Sequence, residues 1–269
     1  MLHADRISRA DIQPLLSSGD PPPVEVVRAS GTSPVLLLCE HAGRAVPSCL
    51  DGLGLDAREM DRHIAWDIGA AATARLLADL LDAPLVLQTY SRLVIDTNRP
   101  LAAPDCIPAV SDGTPIPGNA RLTAAARARR YDEIHRPLHD RVSQMLDSRA
   151  AAGRPGALVT IHSYTPVFGG KARGMSAGLL FNRDARLAEA LKAGLTLIAP
   201  DDEIALNAPY SVDDESDYAI PIHGEQRGIP HVLIELRNDL IAGAAGQRLW
   251  AGRLARALDR AARTLEMYP

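Results

Sequence analysis

Few cysteines, no surplus of positive charge and no long apolar run mark this sequence, and each shortage closes off a class of protein. Its three cysteines, Cys39, Cys49 and Cys106, lack the paired spacing of a zinc ribbon and are too few for a disulfide scaffold, so a reducing cytoplasm is the expected location. A formal net charge of −4, with arginines scattered among acids, offers no footprint for nucleic acid. No segment approaches the ~18 apolar residues of a membrane span. Asp5, Arg6, Arg9 and Asp11 interrupt the opening where a signal peptide needs an apolar core. With neither nucleic acid nor membrane as partner, a small molecule is the expected one; oligomeric state is left open.

What is present is ordinary globular composition. The chain has 269 residues, 46% hydrophobic and 23% charged, enough to bury a sizeable core. It reads as a single catalytic domain over 1–269. Residues 1–32 are its N-terminal arm, because Asp20-Pro21-Pro22-Pro23 suits neither a helix interior nor a central strand.

Continuous apolar runs predict buried strands at 34–39, 84–88, 157–161, 176–181 and 231–236, with a further short one at 93–95. Helical spacing predicts one long helix from about Asp56 to Leu81 and a second from about Thr123 to Ala151, which Pro137 should kink or split. A short helix over 185–193, a possible strand over 195–198 and a final helix over 242–265 complete the pattern. Residues 101–119 read as a long surface loop of the length of a lid or binding loop. Alternating strands and helices imply an α/β fold with a mostly parallel or mixed central sheet and helices on both faces.

In such a sheet functional groups collect at the carboxyl ends of strands. Three candidates fall there: His41 after the first long strand, His162 in Ile161-His162-Ser163-Tyr164-Thr165-Pro166, and Glu235 inside Val232-Leu233-Ile234-Glu235-Leu236. Two histidines with a carboxylate make a three-ligand Zn²⁺ site that leaves a position open for water. A glutamate inside an apolar run needs a cation or an active-site cavity to face. Glu235 is therefore either a general base or half of an ion pair, with Arg237 or another arginine as partner. Arg92 and Arg99 carry the fork that grips a carboxylate in two places. His135 and His139, at i and i+4, share a helix face and are read as structural, because the glutamate of a zincin helix is missing. A nucleophilic Cys39 paired with His41 is disfavoured, since i and i+2 on a strand stand roughly 6–7 Å apart.

With these residues in view the chain resembles the N-formylglutamate amidohydrolase family. The resemblance runs through Glu40-His41-Ala42-Gly43 with Pro47, His63 to Gly69, Ser91-Arg92-Leu93-Val94-Ile95-Asp96 with Asn98-Arg99-Pro100, His162-Ser163, Asn207 with Pro209-Tyr210, and Glu235 with Arg237-Asn238-Asp239. It implies a carboxypeptidase-like (phosphorylase/hydrolase-like) fold and zinc on His41 and His162. Asp67 is implied as third ligand, with Asp61 and His63 in reserve, because Arg44 stands where a His-x-x-Glu pair would put its acid. It further implies Glu235 as general base and Arg92 as oxyanion contact. Arg99, Asn98, Arg173, Asn207 and Tyr210 fall on the substrate side. The expected activity is zinc-dependent hydrolysis of an N-acyl, N-formyl-type amide of an acidic amino acid; the rival is a binding protein that keeps the fold without turnover. Glu-His-Ala-Gly replaces the Pro-His-Ser-Gly of the formylglutamate enzymes, which places the chain on a related branch.

Overall fold

A computed structural model describes residues 13–154 and 156–268, so the charged opening at 5–11 lies outside the described residues. In chain order the first half contains β1 (Val24–Val27), β2 (Val35–Cys39), α1 (Ala57–Asp61), α2 (Ala70–Leu81), β3 (Leu85–Gln88), β4 (Val110–Ser111) and β5 (Thr114–Pro115). The second half contains α3 (Ala124–Arg130), α4 (Arg136–Ala151), β6 (Ala157–Tyr164), β7 (Val167–Phe168), β8 (Lys171–Ala172), β9 (Ala177–Leu180), α5 (Arg186–Ile198), β10 (Ile204–Leu206), β11 (His231–Arg237) and α6 (Ala244–Thr264).

Seven strands pair in the order β1-β3-β2-β6-β11-β9-β10. The central strands β3, β2, β6 and β11 run parallel, while β1 and β9 pair antiparallel to β3 and β11, so the sheet is mixed. Alternation along the strands divides the core. Leu37 and Cys39 of β2 point to the face covered by α2, α5 and α6, with Leu77, Leu191 and Leu254 among the side chains that meet them. Leu36 and Leu38 point the other way, onto Leu138, Val142 and Leu146 of α4. Both faces of the central strands are dry, which is why they read as unbroken apolar runs. Among the described residues no helix is long and apolar enough to cross a membrane.

Several local expectations are corrected. The long helix over 56–81 is two pieces: α1 ends at Asp61, and residues 62–69 form turns before α2. Gly69 sits at φ +82° with its backbone against the Ile241 carbonyl, where a Cβ would clash, and this docking fixes the break. Leu93, Val94 and Ile95 are buried but lie in turns; they fill a separate loop core with Leu53, Ile107 and Ile116 instead of joining the sheet. Residues 195–198 close α5, because Leu187, Leu191 and Leu195 share one buried face. Val24–Val27, inside the stretch read as an arm, is an edge strand on β3. Pro137 sits in the first turn of α4, and a π turn over Tyr131–His135 joins α3 to α4, so no break appears there. The loop over 101–119 carries the β4–β5 hairpin.

Candidate metal centre and active site

β2 delivers Glu40 and His41 at its carboxyl end, and β6 delivers His162 beside it. Glu235 of β11 is in direct register with His162 on the adjacent strand. Asp67 arrives from the turn before α2, pinned by its backbone N–H on the His41 carbonyl at 3.0 Å. His41, Asp67 and His162 are all buried and their ligating atoms converge. His162 Nδ1 lies 3.2 Å from His41 Nδ1 and 3.1 Å from Asp67 Oδ2, and His41 Nδ1 lies 3.4 Å from the same oxygen.

The outer nitrogen of each imidazole meets a carboxylate. His41 Nε2 donates to Asp96 Oδ1 at 2.7 Å and His162 Nε2 donates to Glu40 Oε2 at 3.0 Å. Those two bonds assign the protons to Nε2 and leave both Nδ1 lone pairs aimed at the Asp67 oxygen. Three electron-rich atoms that close repel one another unless a positive charge sits among them. The separations also fit: donors ~2.0–2.1 Å from a tetrahedral centre stand about 3.3 Å apart. The residues present therefore suit a small divalent cation with nitrogen and oxygen ligands, and the carboxylate–imidazole pairs match the usual outer shell of such a site.

The electrostatics agree. Burial opposes charge on His162, yet Glu40 and Asp67 outweigh it and raise its pKa well above the ordinary histidine value, so the site attracts positive charge, and a cation seated among the ligands would take the place of the Nδ1 proton. Burial likewise opposes ionisation of Asp67, but His41, the His162 hydrogen bond and Arg92 hold it well below the usual carboxylate range. Arg92 bridges the two acids, donating to Asp67 Oδ1 and Asp96 Oδ2 at 3.1 Å each. Glu235 is different. Burial pushes its pKa up to about 7, with His162 pulling the other way, and its Oε2 has no hydrogen-bond partner. The ion pair weighed for it with Arg237 is absent: Arg237 bonds Asp239 and the Gly174 carbonyl.

A cavity of about 540 Å³ opens over the cluster, lined by His41, His162, Glu235, Arg92 and Arg99 among others. Asn98, Asn207 and Tyr210 also line it, but Asn98 is tied to Asp217 and to the backbone of Tyr218 and Ala219, and Asn207 Oδ1 accepts from Phe181 N–H. Arg99 is half-buried between Asp105 and Asp217. Arg173 lines neither this cavity nor its neighbour; it bonds Thr165 and the Tyr210 hydroxyl, and so acts as a scaffold behind the wall. Of the reserve ligands, Asp61 is at the surface paired with Arg44, and His63 lies 3.8 Å from Asp67 as a neutral imidazole, its pKa lowered to about 4 by burial. Cys39 faces the core with its thiol pushed well up by burial, which leaves no thiolate for a nucleophilic role.

Sequence reasoning quoted Glu40 and Asp96 but gave them no task. Their adjacency to His41 and their place between Arg92 and Arg99 were the available signals. Nothing local pointed to His223, which bonds His139 across 84 residues at 2.9 Å.

The sequence profile of the N-formylglutamate amidohydrolase family matches residues 33–242. The chain belongs to this family of amidohydrolases. Among solved structures it is similar to a gene product of Agrobacterium tumefaciens, at 40% identity, 94% coverage of this chain, 99% of that one and a TM-score of 0.90. It shares its fold with an N-formylglutamate amidohydrolase from Ralstonia eutropha JMP134, at 18% identity, 92% and 100% coverage and a TM-score of 0.63. No curated protein matches the sequence.

Proposed function

We propose that the chain hydrolyses the amide bond of an N-acyl acidic amino acid of the N-formylglutamate type, with Zn²⁺ held by His41, Asp67 and His162. The observation that carries this reading is the convergence of two bare Nδ1 atoms and a carboxylate oxygen at 3.1–3.4 Å, each imidazole backed by its own acid. When bound there, zinc would supply Lewis-acid polarisation of the amide carbonyl and lower the pKa of a water it holds.

The remaining steps belong to the protein. Glu235 takes a proton at Oε2 and returns it to the leaving nitrogen. A carboxyl with a pKa near 7 is matched to that exchange at neutral pH. Arg92 is held rigid by Asp67 and Asp96 and keeps guanidinium donors beyond those two bonds to steady developing negative charge on the carbonyl oxygen. Arg99 offers its cation to a substrate carboxylate in the same cavity, beside Asn98, Asn207 and Tyr210. The test is a hydrolysis screen of N-formyl, N-acetyl, N-carbamoyl and N-succinyl amino acids before and after chelation. Turnover confined to acidic amino acids, abolished by chelator and restored by Zn²⁺, is expected. Turnover indifferent to chelation, or none under any metal loading, would overturn the reading.

A further inference from the structure

A second cavity of about 680 Å³ adjoins the first, and His63, Arg92 and Tyr210 line both. Its wall is largely apolar: Ile64, Ile68, Leu93, Pro108, Val110 and Phe168. The acids that line it are matched, Asp61 by Arg44, Asp96 by Arg92, Asp105 by Arg99 and Asp112 by Arg62. What it offers a ligand is therefore neutral and hydrophobic surface.

Two of those wall residues are out of place on a protein with nothing to cover them. Val110 is 59% exposed and Phe168 is 55% exposed, and both turn onto this one cavity. They are also held in place. The Arg173 guanidinium lies 5.2 Å from the Phe168 ring and 4.9 Å from that of Tyr164, and donates to the Tyr210 hydroxyl at 2.8 Å. Val110 belongs to the β4–β5 hairpin, where Arg62 bonds Asp112 and Thr114. The volume is on the scale of a small-molecule site, ~300–1,000 Å³. A formyl group, with one carbon, has no use for it.

We infer that the acyl part of the substrate is an aliphatic or aromatic group of several carbons, seated in this second cavity against Val110 and Phe168. The inference rests on the hydrolytic reading above for the direction of the substrate. The polar catalytic cavity with Arg99, Ser211 and Ser216 takes the amino-acid carboxylates. The acyl chain then leaves the amide past His63, Arg92 and Tyr210 into the apolar space.

The experiment measures kcat/KM for N-formyl-, N-acetyl-, N-butanoyl-, N-hexanoyl- and N-benzoylglutamate on the wild type and on Val110→Asp. In parallel, calorimetry gives Kd of the formyl and hexanoyl compounds on zinc-loaded Glu235→Gln, with and without Val110→Asp. Burial of each methylene raises kcat/KM about threefold, so the five extra carbons of hexanoyl should lift it over formyl by about 200-fold. Val110→Asp should cut that ratio about tenfold. Its site is a mostly exposed two-residue strand, so the fold is not at stake. A formyl compound as good as the hexanoyl one, or a ratio untouched by Val110→Asp, overturns the inference while leaving hydrolysis standing. If nothing is turned over but the hexanoyl compound binds more tightly and Val110→Asp removes that preference, the apolar cavity stands and the hydrolytic reading falls.

Discussion

Two buried histidine clusters lie among the described residues, and they do opposite things. His41 and His162 have ring centroids 4.8 Å apart; His135, His139 and His223 are packed as closely, at 4.5 and 5.1 Å. The difference is in what surrounds them. Every imidazole of the first cluster faces a carboxylate, and the His162 pKa is raised. In the second, His135 and His139 donate to the carbonyls of Arg99 and Thr97, and His139 accepts from His223. Among the described residues no acid bonds those rings directly, so burial lowers His135 and His223 to about 4 and His139 well below the ordinary value. Proximity of histidines is thus no sign of a metal site; the negative charge gathered around them is. The second cluster is a neutral strap on the loop that carries Asp96, Asn98 and Arg99.

The contrast breaks if the wrong cluster holds the metal. His41→Ala and His162→Ala should each reduce bound zinc to near zero and activity to background, measured by elemental analysis and turnover. His139→Gln should keep the metal and lose only about 1–3 kcal/mol of stability in denaturant unfolding, from the unpaired Thr97 carbonyl and His223. Metal loss in His139→Gln alone would reverse the assignment.

Glu40 and Glu235 each keep one oxygen without a partner at the first cluster, but of the two only Glu235 lines the cavity, and two effects follow. Glu235→Gln should keep zinc while kcat falls roughly 10²- to 10⁴-fold. Near-normal turnover would remove Glu235 from the reaction. The same substitution should stabilise the chelated protein. Glu235 binds its proton more tightly folded than unfolded, so between about 4.5 and about 7 the folded state holds more protons and stability falls as pH rises. That separation corresponds to about 3 kcal/mol, present as an advantage of Glu235→Gln at pH 8 and gone by pH 4. Thermal unfolding of the two proteins across that range checks it, and a constant difference would show that Glu235 ionises without penalty.

The smallest effect sharpens the comparison. Asp96→Asn and Glu40→Gln leave all three ligands in place but weaken the grip on their imidazoles. Zinc affinity should drop about 10- to 100-fold in competition with a chromophoric chelator. Unchanged affinity would mean that the acids around the first cluster are bystanders.

Much of this was legible in the chain. Val35–Cys39, Ala157–Tyr164 and His231–Arg237 are apolar enough to demand burial on both faces, and a polar residue at their carboxyl ends stands out for that reason. The sharing of a face by His135 and His139 followed from helical spacing alone. The failures are equally physical. Leu93–Ile95 is as apolar as a strand, but burial in a loop core satisfies the same hydrophobicity. Ile204–Leu206 was missed because three residues carry no periodicity, and Val24–Val27 because an edge strand is only half-buried.

What the sequence determined by itself is the main buried strands, the carboxyl-edge positions of His41, His162 and Glu235, and the family. Those depend on neighbours within a turn or two, where side-chain size, polarity and period act directly. Only the tertiary structure decided that Asp67 leaves the helix to meet the histidines, because its turn is set by Gly69 docking on Ile241, far along the chain. It also decided that Glu40 and Asp96 back His162 and His41, pairs 122 and 55 residues apart. Charges that distant become partners only when packing of the sheet and loop core brings them into one dry space, where an unpaired charge is too costly to leave.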